Sequence, residues 1–232
     1  MVLKIRHLHP WALPREQAAA LQLRLREQLD LQDADPTAPL TGIAGADISY
    51  ARHSDLFFAV AVVLSYPELT VREEAQAISR VSFPYLPGFL SFREGPVLLQ
   101  ALAKLRITPD VIMFDGQGIA HPRGLGLASH LGLFLDRPTI GCAKSRLVGD
   151  YREPGPEKGS REPLWYRDRV VGAVLRTKDR VRPVFISPGH RISVARAVAI
   201  ADACCRGYRI PEPVRQAHLA VNRLRTAQGR IP

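Results

Sequence analysis

Leu56-Phe57-Phe58-Ala59-Val60-Ala61-Val62-Val63-Leu64-Ser65 is a ten-residue run whose first nine side chains are apolar. It shows no polar alternation, so it reads as a strand buried on both faces near the centre of a sheet. At this length it is far too short to cross a membrane as a helix. Outward from it, Thr41–Tyr50 and Leu69–Ile78 are also strand-like. The connections between the three are short, which points to an antiparallel meander.

Before the meander, Pro14–Leu31 reads as an amphipathic helix with Leu21, Leu25 and Leu29 recurring at i+4, and Asp33–Pro39 is a polar, proline-containing break. After it, Ser91–Arg106 is helical, with Val97, Leu98, Ala101, Leu102 and Leu105 on one face. Val111–Phe114 is a short buried strand, Leu125–Leu135 a helix and Thr139–Ala143 another strand. Leu147–Pro163 is rich in Gly, Pro and charge and reads as a surface excursion. Leu164–Tyr166, Arg169–Arg176 and Val184–Ile186 are further strands. Ile192–Cys205 and Glu212–Gln228 are closing helices, Pro213 suiting a first turn. A meander followed by alternating helix and strand fits several α/β folds, the ribonuclease H-like fold among them.

The 232 residues suit one domain over 1–232, and 46% hydrophobic with 23% charged residues excludes a disordered or fibrous chain. The first ten residues carry no signal-peptide pattern, which points to a cytoplasmic protein. Cys142, Cys204 and Cys205 have neither disulfide-framework nor zinc-site spacing. The net charge of +10 is uneven: residues 1–144 carry 14 Lys+Arg and 14 Asp+Glu, whereas residues 145–232 carry 18 and 8. Most of these bases are arginines, whose forks suit phosphates, and a localised basic surface favours polyanions. A nucleic-acid partner is one reading; a compositional bias is the other.

Asp47 lies inside the first strand, where an unpaired carboxylate is costly, and Asp115 follows Val111-Ile112-Met113-Phe114 at the carboxyl end of a strand. Glu94 sits near the start of the helix after Pro87-Gly88. Singly, Glu94 also reads as an ordinary helix-start charge and Asp115 as a turn cap. Meeting at one sheet end, the three would form a hard-oxygen site for Mg²⁺ or Mn²⁺. His218 flanks the Val214, Ala217, Val221 stripe of the last helix. It could add an imidazole there, or be a hydrogen-bonded core histidine. Ser129 and His130 lack a third partner, which argues against a serine hydrolase.

Phe83-Pro84-Tyr85-Leu86-Pro87-Gly88-Phe89-Leu90-Ser91-Phe92-Arg93-Glu94 resembles the wedge and following helix of the endonuclease V family. Asp115-Gly116-Gln117-Gly118-Ile119-Ala120-His121-Pro122-Arg123-Gly124-Leu125-Gly126-Leu127-Ala128-Ser129-His130 resembles its central glycine-rich motif. Gly141–Leu147 and Pro211–Arg215 are similar to two further segments, and the likeness runs from about Gly42 to Leu224. The resemblance implies a ribonuclease H-like α/β fold, a central mixed sheet flanked by helices. It implies a Mg²⁺-dependent repair endonuclease, Mn²⁺ substituting, that cuts DNA containing deaminated bases at the second phosphodiester bond 3′ to deoxyinosine.

Carried over by motif, Asp47, Glu94 and Asp115 are metal carboxylates, His218 is a further ligand position, and Lys144 is the lysine near the reacting phosphate. Pro84, Tyr85, Leu86 and Pro87 form a strand-separating wedge, stiffened by prolines and offering Tyr85 for stacking. Gly116, Gly118, His121, Gly124, Leu125 and Gly126 form the base pocket. A pocket of backbone N–H groups favours the 6-carbonyl of hypoxanthine over the 6-amine of adenine. The glycines also read as simple turn geometry. A monomer is expected, and no membrane partner. The alternatives are an inosine-specific ribonuclease acting on inosine-containing RNA, another nuclease of the same fold, or a non-catalytic nucleic-acid-binding protein.

Overall fold

A computed structural model describes residues 3–33, 35, 37–52 and 54–228. An extended N-terminal segment leads into α1 (Arg15–Arg26), followed by β1 (Gly42–Tyr50), β2 (Leu56–Ser65), β3 (Val71–Arg80), α2 (Leu90–Leu102), β4 (Val111–Phe114), α3 (Leu127–Leu135) and β5 (Thr139–Ala143). Then come β6 (Arg161–Tyr166), β7 (Arg169–Leu175), β8 (Val184–His190), α4 (Val194–Ala203) and α5 (Glu212–Gln228). The strands make one eight-stranded sheet in the order β3-β2-β1-β4-β5-β8-β7-β6. β1, β4 and β5 are parallel, and every other pairing is antiparallel. This mixed sheet with helices on both faces is the ribonuclease H-like architecture.

The unbroken apolar run of β2 has a direct cause. Phe58, Val60, Val62 and Leu64 pack into the core under α4 and α5, while Phe57, Ala59, Ala61 and Val63 pack into the core under α2 and α3. Each fully buried Val, Leu or Phe contributes about 1.5–3 kcal/mol, so both faces must be covered. β1 follows the same period of two. Ala44 and Ala46 join the α2/α3 core, and Ile43 joins the other. Gly45 and Asp47 therefore share the α5 face. There α5 crosses so closely that a Cβ on Gly45 would lie 1.8 Å from the Pro213 carbonyl oxygen.

Several boundaries differ from those read in the sequence. α1 ends at Arg26, short of Leu31. Gln28 and Leu29 close i→i+3 turns, and Asp30 is drawn away by bonds to His190 and Arg191. Leu69 is a turn residue with φ of 61°, so β3 starts at Val71. β8 continues through Pro188 and Gly189 to His190, paired with β5 across a register shift. The excursion after β5 is pinned by the buried Arg176, whose guanidinium donates to the Gly155 and Pro154 carbonyls at 2.9 and 2.8 Å. Among the described residues, no helix is long and apolar enough to cross a membrane.

Candidate active site

The register of the parallel strands brings the first two carboxylates together. Ala46 pairs with Phe114, so Asp47 in β1 and Asp115 just after β4 leave the sheet side by side. The α5 face that Asp47 shares with Gly45 carries His218 above it. One ligand atom from each of Asp47, Asp115 and His218 falls within 4.8 Å of the others. Glu94, on α2, lines the same cleft without belonging to that compact group. Lys144, after β5, reaches across to Asp115.

The electrostatics reflect crowding of like charge. Burial, and then the Asp115 carboxylate, push the Asp47 carboxyl up to about 6, against the opposing effect of its His218 bond. Burial, then Asp47 and Asp115, push Glu94 up to about 8. Burial alone would lower the Lys144 ammonium, but the charge and hydrogen bond of Asp115, together with the Asp47 and Cys142 groups, outweigh it and hold the group above its usual range. Carboxylates that resist ionisation together can be satisfied by a cation. Two adjacent carboxylates, with the Glu94 carboxyl in the same cleft and the His218 imidazole beside them, form a set that fits a hard divalent ion.

His218 is held by a chain of hydrogen bonds. Asn222 Nδ2 donates to the His218 carbonyl at 2.9 Å, which assigns the amide, and the same nitrogen faces His218 Nε2 at 3.1 Å. Nε2 is therefore an acceptor, leaving Nδ1–H to donate to Asp47 Oδ2 at 2.8 Å. Ser49 Oγ donates to Asn222 Oδ1 at 3.1 Å, and Arg225 Nε donates to Ser49 Oγ at 2.8 Å. The sequence does not mark Asn222, Ser49 or Arg225 as part of a site. Only the i+4 spacing of Asn222 from His218 hints at the first of them.

The cleft lined by Asp47, Glu94, Asp115 and Lys144 measures about 450 Å³, within the range of small-molecule sites. Of the expected wedge, Tyr85, Leu86 and Pro87 line it and Pro84 does not; Tyr85 is 65% exposed. Of the expected base pocket, Gly116, His121, Leu125 and Gly126 line it, and Gly118 and Gly124 do not. The Gly118 hydrogen side faces β8, where a Cβ would meet the Pro188 carbonyl oxygen at 2.1 Å. Gly124 has φ of 70°, a turn conformation that favours glycine.

His121 has both ring nitrogens occupied. Nε2–H donates to the Gly88 carbonyl at 3.0 Å, and Nδ1 accepts from Arg123 N at 3.2 Å. The same Gly88 carbonyl accepts from Arg123 Nη2 at 2.6 Å and from Gln22 Nε2 at 3.1 Å. Three donors on one carbonyl tie the wedge to the glycine-rich segment and to α1. Gln22, a polar residue inside the leucine stripe of α1, is another that the sequence leaves unmarked. A separate concavity at the opposite pole of the sheet offers no comparable chemistry. Its Asp110 and Asp33 are occupied in capping Thr41, Gly42 and Ser193.

Comparison with known proteins bears on this cleft. The family described as Endonuclease V matches residues 23–219. An "Endonuclease V" from Dehalococcoides mccartyi is 47% identical over 224 residues, covering 97% of this chain and 100% of the relative. A crystal structure of the Endonuclease V from Streptomyces avermitilis superposes with a TM-score of 0.88 at 41% identity, over 98% of this chain and 100% of that one. The Ciona intestinalis Endonuclease V, solved in complex with a 24mer DNA containing an inosine followed by a ribo-adenosine, superposes with a TM-score of 0.78 at 29% identity. That match covers 92% of this chain and 99% of the Ciona chain.

Proposed function

Because this chain belongs to the endonuclease V family, a family of nucleases, we propose that it is a DNA repair endonuclease that recognises deaminated bases, chiefly deoxyinosine. It hydrolyses the second phosphodiester bond on the 3′ side of the lesion, leaving 3′-OH and 5′-phosphate ends. The observation that carries this reading is the meeting of Asp47 and Asp115, with His218 beside them, at a cleft that also holds Glu94 and Lys144 and is lined by the exposed Tyr85.

A divalent cation is the cofactor, and we assign Mg²⁺, with Mn²⁺ as substitute, to Asp47 and Asp115 with Glu94 completing the shell and His218, whose Nδ1–H is a donor, reaching the ion through water. When bound, it supplies a Lewis acid beside the scissile phosphate and lowers the cost of ionising the attacking water. The chain's own groups do the remaining work. Glu94, whose carboxyl holds its proton to about 8 without a cation, is placed to orient or deprotonate water once a cation is present. Lys144 keeps its charge and stabilises the phosphoryl oxygens as negative charge grows on them. Tyr85, on its proline-stiffened turn, inserts where the lesion leaves the stack, and Gly116, Leu125 and Gly126 face the extruded base with backbone. His121 supports this pocket through Gly88.

A nucleic acid is the substrate, and the cleft is built from one chain, so a monomer suffices. Three free, buried cysteines fit a reducing cytoplasmic compartment. The Ciona complex contains a ribo-adenosine after its inosine, which makes inosine-containing RNA the second substrate to examine. The deciding experiment is Mg²⁺-dependent incision of matched duplexes carrying inosine or adenine, mapped to one nucleotide, with Asp115→Ala alongside. A cut one nucleotide beyond inosine, absent from the adenine control and from a variant that still binds DNA, supports the proposal. No incision of DNA or RNA in either metal leaves only a binding role.

A further inference from the structure

The loop after β5 carries Lys144, and its backbone is held from two sides. On one side Gln117 Nε2 donates to the Ser145 carbonyl at 3.0 Å. On the other side stands Arg209, from the connection between α4 and α5. Its Nη2 donates to the Lys144 carbonyl at 2.6 Å and to the Pro183 carbonyl at 3.0 Å, and its Nε donates to the Arg182 carbonyl at 2.9 Å. One guanidinium thus joins three carbonyls from two segments, the loop after β5 and the lead into β8.

This arrangement bears on the lysine itself. A flexible four-carbon stem separates the Lys144 ammonium from its backbone, so the ammonium is only as well placed as the peptide that carries it. The Lys144 carbonyl belongs to that peptide, and Ser145 follows. Arg209 and Gln117 fix both. A planar guanidinium spreads its N–H groups in set directions over three carbonyls, whereas an ammonium offers its three donors from one point on a flexible stem. Nothing in the motif around Lys144 marks Arg209, which lies 65 residues away in the chain.

We propose that Arg209 is a positioning residue for the incision reaction, clamping the Lys144 loop so that the ammonium stands against Asp115 and the reacting phosphate. The proposal rests on the role assigned above to Lys144.

The test is a double-mutant cycle on a duplex containing inosine, with kcat and KM measured separately. Lys144→Ala is expected to lower kcat by about 10²–10³-fold. Full activity in that variant would remove Lys144 from the chemistry, and the Arg209 proposal with it. Arg209→Ala is expected to lower kcat by about 10–100-fold through misplacement, with KM little changed. Arg209→Lys, which keeps the charge but not the fork, recovers only part of the loss, and added guanidinium ion recovers part of it in Arg209→Ala. In the Lys144→Ala background, Arg209→Ala is expected to add no more than about a twofold loss, the usual tolerance of independent measurements. Losses that multiply in the double variant would overturn the proposal while leaving Lys144 catalytic. A raised KM with unchanged kcat and a shallower salt dependence would overturn it too, because Arg209 would then be a phosphate contact. Should Arg209→Ala melt far below the wild type, the same cycle is run with Arg209→Lys.

Discussion

His218 and Asp47 are joined through Nδ1 and Oδ2 at 2.8 Å, with the other ring nitrogen turned to Asn222. The imidazole is thereby fixed in one tautomer and one orientation at the edge of the carboxylate group. Through His218 the chain from Asn222 holds the Asp47 carboxylate in place, and loss of such a supporting partner lowers metal affinity by about 10–100-fold. Asn222→Ala is expected to weaken Mn²⁺ binding by an amount in that range, read by calorimetric titration of the protein without nucleic acid. Unchanged affinity would detach the Asn222–Ser49–Arg225 chain from the site.

Tyr85 is 65% exposed, so its truncation has little folded structure to disturb. Tyr85→Ala is expected to leave stability within about 0.5 kcal/mol of wild type. Loss of one base–aromatic stack is worth about 1–3 kcal/mol, and incision of duplex DNA should slow accordingly. The slowing belongs to the duplex, where strands must be held apart, and should shrink on a single-stranded inosine substrate. Equal slowing on both substrates would make Tyr85 a base contact rather than a wedge.

Four histidines, His9, His121, His130 and His190, are held below the usual histidine range, in each case chiefly by burial. For His121 the folded value is about 4, against 6.5 for the free side chain. A lowered folded value means that the unfolded chain binds the proton more tightly. Stability is therefore present above pH 6.5 and is lost as pH falls toward 4. His121 alone accounts for about 3 kcal/mol across that window. Urea melts at stepped pH should show the gap between wild type and His121→Asn narrowing as pH falls from 6.5 to 4. A gap independent of pH would mean that His121 titrates normally.

The two glycines of the central motif that do not line the cleft should separate in their cost. A Cβ at Gly118 meets backbone at 2.1 Å, and β8 would have to move away. Overpacking of this kind costs about 1–3 kcal/mol or more. A Cβ at Gly124 would make only an ordinary contact, with Arg26 Cδ at 3.6 Å, and its φ of 70° is what opposes a side chain, at about 1 kcal/mol. Thermal melts of Gly118→Ala and Gly124→Ala should rank in that order. The reverse ranking would place the motif's constraint in the turn rather than in its packing on β8.

Elements with a strong local signal are legible in the amino-acid sequence alone. The meander, β4, β5 and α5 lie within two residues of the bounds their residue patterns predict, because a strand buried on both faces has no freedom to be polar. Asp47 stands out as a carboxylate inside an apolar strand, and Asp115 as the residue ending one. The end of α1 is not legible, because the chain leaves the helix for contacts with His190 and Arg191, about 160 residues away. Gln22, Asn222 and Arg209 escape a reading by residue type for a related reason. Each is an ordinary polar residue until its partners are known.

What the sequence determined by itself was the alternation of elements, the identity of the carboxylates and the motifs that carry the family likeness, since these depend on residue type and spacing along the chain. Only the tertiary structure decided that Asp47 faces α5 rather than α2, and that His121 braces Gly88 with both nitrogens occupied. It also decided that Glu94 stands outside the compact group formed by Asp47, Asp115 and His218. Those outcomes depend on register between strands and on which helix covers which face. Both are set by packing the whole core at once, and no local stretch of sequence contains them.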